Sequence, residues 1–215
     1  MRTKSILTAG LALIATTLTG SPPAYADDFL WLGVNPSGGW ADQSNWLNLD
    51  DPFLGGFPNG SDDNAFITIP GRIEIKSVQA EGGCHAFFSL CNLRINAGTT
   101  VWVSGCLTIS CKLTIEPSEP GLPEGKLIIL QGGTVVLLDD DVKHEIGGLI
   151  QLSSSGSTLR IEGDATLDPF TEGGGDPVYG RVKGQNNDAE IQIERGKTLT
   201  NNITVCGMMT IRTAP

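Results

Sequence analysis

The chain has 215 residues, 40% hydrophobic and 6% aromatic, and a formal net charge of −10 at pH 7. That length holds one domain with a real core. An acidic balance without basic clusters excludes nucleic acid and an anionic membrane surface as partners.

The chain opens with a basic head, Arg2 and Lys4, a mostly apolar stretch over residues 6–18, and the small-x-small ending Ala24-Tyr25-Ala26. This is the three-part pattern of a secretory signal peptide. Thr8, Thr16 and Thr17 make the stretch too polar, and its length is too short, for a membrane span. Residues 1–26 are therefore expected to be removed, which takes the net charge from −10 to −12. The mature protein is expected outside the cytoplasm: extracellular, at the cell surface or in the periplasm. No later run is long and apolar enough to span a membrane.

Residues 27–66 form a tryptophan-rich segment with Trp31, Trp40 and Trp46. Two readings apply to these rings. They are a carbohydrate-stacking platform, or they bury the flat end of a stack of strands that would otherwise lie open to water and edge pairing. The second is favoured, so 27–66 reads as a cap. Asp63 is expected to accept turn amides there.

From residue 67 to 215 apolar and polar residues alternate in short bursts, such as Ile73-Glu74-Ile75, Leu93-Arg94-Ile95, Leu113-Thr114-Ile115, Leu159-Arg160-Ile161 and Ile191-Gln192-Ile193. A period of two predicts strands with one buried face. Leu127–Leu130 and Val135–Leu138 are continuous apolar runs, expected for strands that are covered on both sides or are less regular. Gly132-Gly133, Gly147-Gly148 and Gly163 punctuate the bursts as corners. The predicted class is all-β. Asn-Gly or Asp-Gly hairpin turns are nearly missing from the mature chain, which disfavours a sandwich. Leu93 and Leu113 recur at 20 residues, and Val101, Val135 and Leu159 at 34 and 24. The period is loose and does not establish a repeat by itself; a β-solenoid with coils of about 22 residues would have roughly six or seven of them, about 4.8 Å apart.

The five cysteines are Cys84, Cys91, Cys106, Cys111 and Cys206. Their spacings do not match a zinc site. Export makes disulfides plausible, and coils of about 20 residues would set Cys84 against Cys106 and Cys91 against Cys111. Connectivity stays open at this point, with Cys206 left over.

The opening segment resembles that of bacterial exported parallel β-helix proteins, those with autotransporter-associated β-strand repeats and related planctomycete-type surface proteins. Its pattern, W-x-G…W-x-x-x-x-N-W…G-x-P…D-x-A-x-I, is matched by Trp31, Gly33, Trp40, Asn45, Trp46, Gly56, Pro58, Asp63, Ala65 and Ile67. The resemblance covers under a fifth of the chain, and the Thr-Leu-heavy repeat signature is weak. It implies a right-handed parallel β-helix, surface-exposed or released, that serves as a passenger or stalk. It implies no active site.

Several constellations carry chemistry in principle. Asp139, Asp140 and Asp141 offer oxygen ligands for calcium, without the spacing of a calcium loop; the plainer reading is a solvated turn. Trp102 alternates outward between Val101 and Val103, toward a sugar ring or under a loop. Arg160, Glu162, Asp164 and Asp168, with Lys143, His144 and Glu145, are the residues a polysaccharide lyase or hydrolase would draw on. No carboxylate pair repeats across the bursts, and His144 sits in polar surroundings in the sequence. The expected function is therefore a non-catalytic structural or adhesive protein at the cell surface, docking a surface glycan or protein and needing no cofactor. The alternatives are a carbohydrate-active enzyme and a secreted sugar-binding module.

Overall fold

The computed structural model describes residues 27–33, 39–68, 71–75, 88–171 and 175–214. The leader (residues 1–26), Cys84 and His85 lie outside these. Among the described residues there are sixteen strands, one 3-10 turn (Gln43–Asn45) and no α-helix. The protein is all-β, built on one large and mostly parallel sheet.

Strands β1 (Asp28–Trp31), β2 (Trp46–Asn48) and β3 (Asn64–Ile67) begin it. They are followed by β4 (Gly71–Ile75), β5 (Phe88–Ile95), β6 (Thr99–Val103), β7 (Cys106–Ile115) and β8 (Lys126–Ile129). Next come β9 (Thr134–Leu137), β10 (Val142–Ile146), β11 (Leu149–Leu152) and β12 (Thr158–Ile161). The last four are β13 (Ala165–Asp168), β14 (Arg181–Ile193), β15 (Leu199–Asn201) and β16 (Thr204–Thr213). β2 runs antiparallel to β1, whereas β1 pairs parallel with β3.

The parallel pairings fall into three ladders. The first contains β1, β3, the second halves of β5 and β7, then β10, β13 and β15. The second contains β4, β6, β8, β11 and the first halves of β14 and β16. The third contains the first halves of β5 and β7, then β9, β12 and the second halves of β14 and β16. From β4 onward the chain visits the second, third and first ladders in that order and then repeats the cycle. Register breaks at Leu90/Asn92 and Gln185/Glu190 mark where β5 and β14 bend from one ladder to the next.

Partners along the third ladder are Phe88, Leu107, Val135, Leu159, Ile191 and Ile211, at spacings of 19, 28, 24, 32 and 20 residues. The uneven loops explain why the period is loose in the sequence. They also correct one alignment. Val101 and Val135 do not belong to one series: Val101 pairs with Leu127 in the second ladder, and Val135 with Leu107 and Leu159 in the third.

Strand alternation sends one row of each ladder inward. Val101, Leu127, Ile150 and Val182 fill the second row, and Leu107, Val135, Leu159 and Ile191 the third, all fully buried. Each such aliphatic side chain contributes about 1.5–3 kcal/mol relative to exposure. On the outward side, Ile128 and Val136 are also buried, whereas Leu138 at the end of its run is exposed, so the apolar runs are covered on both sides only in part.

Corners hold glycines where backbones meet. A Cβ on Gly148 would sit 2.3 Å from the Gly125 carbonyl oxygen, and one on Gly180 would sit 2.5 Å from that of Gly148. At Gly148 the Gly125 and Glu116 carbonyl oxygens and the buried Ile115 methyl leave little room to yield. We expect Gly148→Ala to lower stability by about 1–3 kcal/mol, read as a lower urea midpoint. An unchanged midpoint would show that the corner relaxes.

Cys91 and Cys111 form a disulfide across adjacent bends of β5 and β7. Beside it, the Ser110 hydroxyl lies 2.9 Å from both the Leu90 and Ser61 carbonyl oxygens, with one proton to share between them. Cys106 is disulfide-bonded as well, while Cys206 is a half-buried free thiol. Such bonds persist in an oxidising compartment. Among the described residues no helix is long and apolar enough to cross a membrane.

The opening segment packs at the start of the sheet. Trp31, Trp40 and Trp46 are buried and meet edge to face, with ring centroids 5.0 and 4.7 Å apart. Trp40 Nε1 donates to the Pro58 carbonyl (2.8 Å), and Trp46 Nε1 to that of Trp40 (2.7 Å). Asn45 is buried in the 3-10 turn, and its carbonyl takes the Leu32 amide. Gly33 has a φ of 66°, and Gly56 lies against the Phe29 ring. The Asp63 carboxylate accepts the Asn59 and Gly60 amides at 3.0 and 2.8 Å. Ala65 and Ile67 are fully buried on the next rung. The residues of the opening pattern thus make up one packed unit.

Candidate functional site

The outer face of the first ladder carries the most organised polar surface. Its outward positions begin as an amide ladder. Asn64 Nδ2 donates to Asp28 Oδ1, and Asn92 Nδ2 to Asn64 Oδ1, both at 2.6 Å. Asn92 Oδ1 accepts the Lys112 amide at 3.1 Å. Further along, charge replaces amide. Lys112 Nζ lies 2.9 Å from Glu145, and Lys143 Nζ 3.9 Å from Asp168. Asp168 also accepts Asn202 Nδ2 at 2.7 Å.

Two adjoining hollows lie over this charged stretch and share Lys143. One, of about 430 Å³, is lined by Asp141, Lys143, Asp164, Thr166, Thr198 and Thr200. The other, of about 250 Å³, is lined by Lys143, Glu145, Asp168, Pro169 and Thr171. Register creates the groove: Lys143 stands beside Thr166, Thr166 beside Thr200, and Glu145 beside Asp168. The lining is polar, with four carboxylates against one lysine. The Lys143 side chain is 75% exposed, so its ammonium is largely in water.

The corner of Asp139, Asp140 and Asp141 forms one bank. Asp139 Oδ1 accepts the Asp140 amide, and Asp140 Oδ1 accepts the Asp164 amide and Lys197 Nζ, the last at 2.6 Å. The Lys197 hydrogen bond, helped by the Asp164 amide, holds the Asp140 carboxyl below its usual range. Asp141 has a φ of 62°, a left-handed backbone that turns it away from its neighbours. The corner is a turn, the plainer reading of these three carboxylates. Among the described residues no group of three or more His, Cys, Asp or Glu side chains is placed to hold a metal.

The remaining candidates separate. Arg160 lies on the third ladder, where it pairs with Glu162 (2.8 Å) and Glu194 (3.1 Å), and Arg212 pairs with Glu190 nearby. That set faces away from Lys143, Glu145 and Asp168. Trp102 is half-buried in the outward row of the second ladder, in register with Ile128. The cap tryptophans are buried, so they offer no stacking platform.

His144 departs from its sequence surroundings. It is fully buried and stands beside Leu167 in the inward row that also holds Leu93 and Leu113. Local polarity misled here, because alternation turned the neighbours Lys143 and Glu145 outward and His144 in. The role of Lys112 was also missed. Its partner Glu145 is 33 residues away, and only the register brings the two together.

Compared with known families, characterised proteins and solved structures, the chain matches none.

Proposed function

We propose that the protein is an exported, non-catalytic β-solenoid, a parallel β-helix closed at its first rung by the tryptophan cap, that displays the first-ladder groove to a partner outside the cell. The observation that carries this reading is the repeating cycle of three ladders. A chain that returns to the same three faces in a fixed order stacks its outward residues in rows, and rows make a continuous docking surface. A right-handed sense follows from the resemblance of the opening segment. The disulfides and the leader pattern support export. The outer charges suit display, because most close in rung-to-rung pairs that fix side-chain positions.

One observation favours a second reading. Lys143, Glu145 and Asp168 line one hollow, and a base beside two carboxylates is what a polysaccharide lyase or hydrolase requires.

Incubation with a panel of polysaccharides separates the two. Display predicts retention of the protein on one or more polymers with no new reducing or unsaturated ends. Release of ends by the wild type, abolished in Lys143→Ala and Asp168→Asn, would replace display with catalysis. No retention by any glycan would point the surface at a protein partner instead.

A further inference from the structure

We propose that His144 makes one rung of the sheet acid-labile: the neutral ring closes the seam between β7 and β10, and its protonation opens that seam.

Geometry carries the inference. His144 Nδ1 accepts the Leu113 amide at 3.1 Å, so in the neutral ring the proton resides on Nε2. That nitrogen is buried and, among the described residues, has no hydrogen-bond partner. The ring substitutes for a backbone bond, since β10 pairs with β7 only at Glu145↔Thr114 and Ile146↔Ile115. A second proton can add only at Nδ1. It removes the acceptor, leaves the buried Leu113 N–H without its partner, and places a full charge beside Leu113 and Leu167. Both costs fall on the same short pairing.

The surrounding charges do not offset them. Lys112 on β7 opposes a charged ring, while Asp139 before β10 favours one. Lys143 and Glu145 on the same strand turn outward, where each is engaged with Asp168 of β13 or with Lys112. Burial, followed by Lys112, pushes the imidazole down from 6.5 to about 4. A depressed histidine means the unfolded chain binds the extra proton first. Stability is therefore full above about 6.5 and is lost as pH falls from there toward about 4. Because Lys143 and Glu145 flank the ring, the strand that loosens is also the floor of the groove.

Hydrogen exchange on the intact protein between pH 7 and pH 4.5 tests this. Protection at Leu113 and Ile146 should fall about tenfold per pH unit below about 6.5, beyond the intrinsic exchange correction, while Val182 and Ile191 hold. His144→Gln, which retains an acceptor that does not titrate, should flatten the profile. A wild-type profile in His144→Gln, or an even loss across all strands, would overturn the proposal. If that variant does not fold, the ring resonances of the wild type decide: a titration midpoint near 6.5 contradicts the seam, and one well below it supports it.

Discussion

Trp46→Ala is expected to destabilise the protein by about 3–5 kcal/mol, the range for removing a buried indole. Three losses combine. The ring is 6% exposed and packs edge to face on both Trp31 and Trp40, its Nε1 holds the Trp40 carbonyl, and β2 is the strand that covers β1. Urea denaturation followed by far-UV circular dichroism reads the change as a lower midpoint. Glycan retention, where present, should be unchanged under conditions where the variant stays folded, because the groove is on the outer face and the cap is not. A midpoint shift equivalent to less than about 1 kcal/mol would mean that the cap does not seal the first rung. Loss of retention in a folded variant would return the tryptophans to the binding site.

Opening the Cys91–Cys111 disulfide should have an effect of similar size. The two cysteines are 20 residues apart in sequence, and a link of that span limits the unfolded chain by about 3 kcal/mol on the loop-entropy account. It also ties together the neighbouring strands β5 and β7. The double variant Cys91→Ala/Cys111→Ala isolates this bond and leaves Cys106 and Cys206 untouched. We expect its urea midpoint to drop by that amount. A midpoint equal to the wild type would show that the rungs hold their register without the link.

Much of this was legible in the sequence because it depends on short-range pattern. The period of two in Leu93-Arg94-Ile95 and Leu159-Arg160-Ile161 gave buried and wet faces. Three tryptophans in one short stretch read as buried rings, which they are, and the 20-residue interval between Cys91 and Cys111 anticipated their pairing. What failed depends on register. Loops of different length lie between equivalent strands, so Val101 and Val135 looked like one series when they face different ladders. The groove is a product of register too: Lys143, Thr166 and Thr200 meet only after two long detours of the chain. His144 was misjudged for a related reason. Its neighbours in sequence are charged, but its neighbours in space are leucines on adjacent rungs.

The proposed coil is tested most directly by one distance. Thr100, Lys126, Leu149, Arg181 and Thr204 are successive partners on the second ladder. Four strand spacings therefore put Thr100 and Thr204 about 19 Å apart at the backbone, despite a sequence separation of 104. Spin labels on Thr100→Cys and Thr204→Cys, in a Cys206→Ser background, report this distance by pulsed electron paramagnetic resonance. The coil predicts a single narrow distribution within several ångströms of that value, allowing for the label arms. A distribution centred well beyond it, or a broad one, would contradict the stacked arrangement.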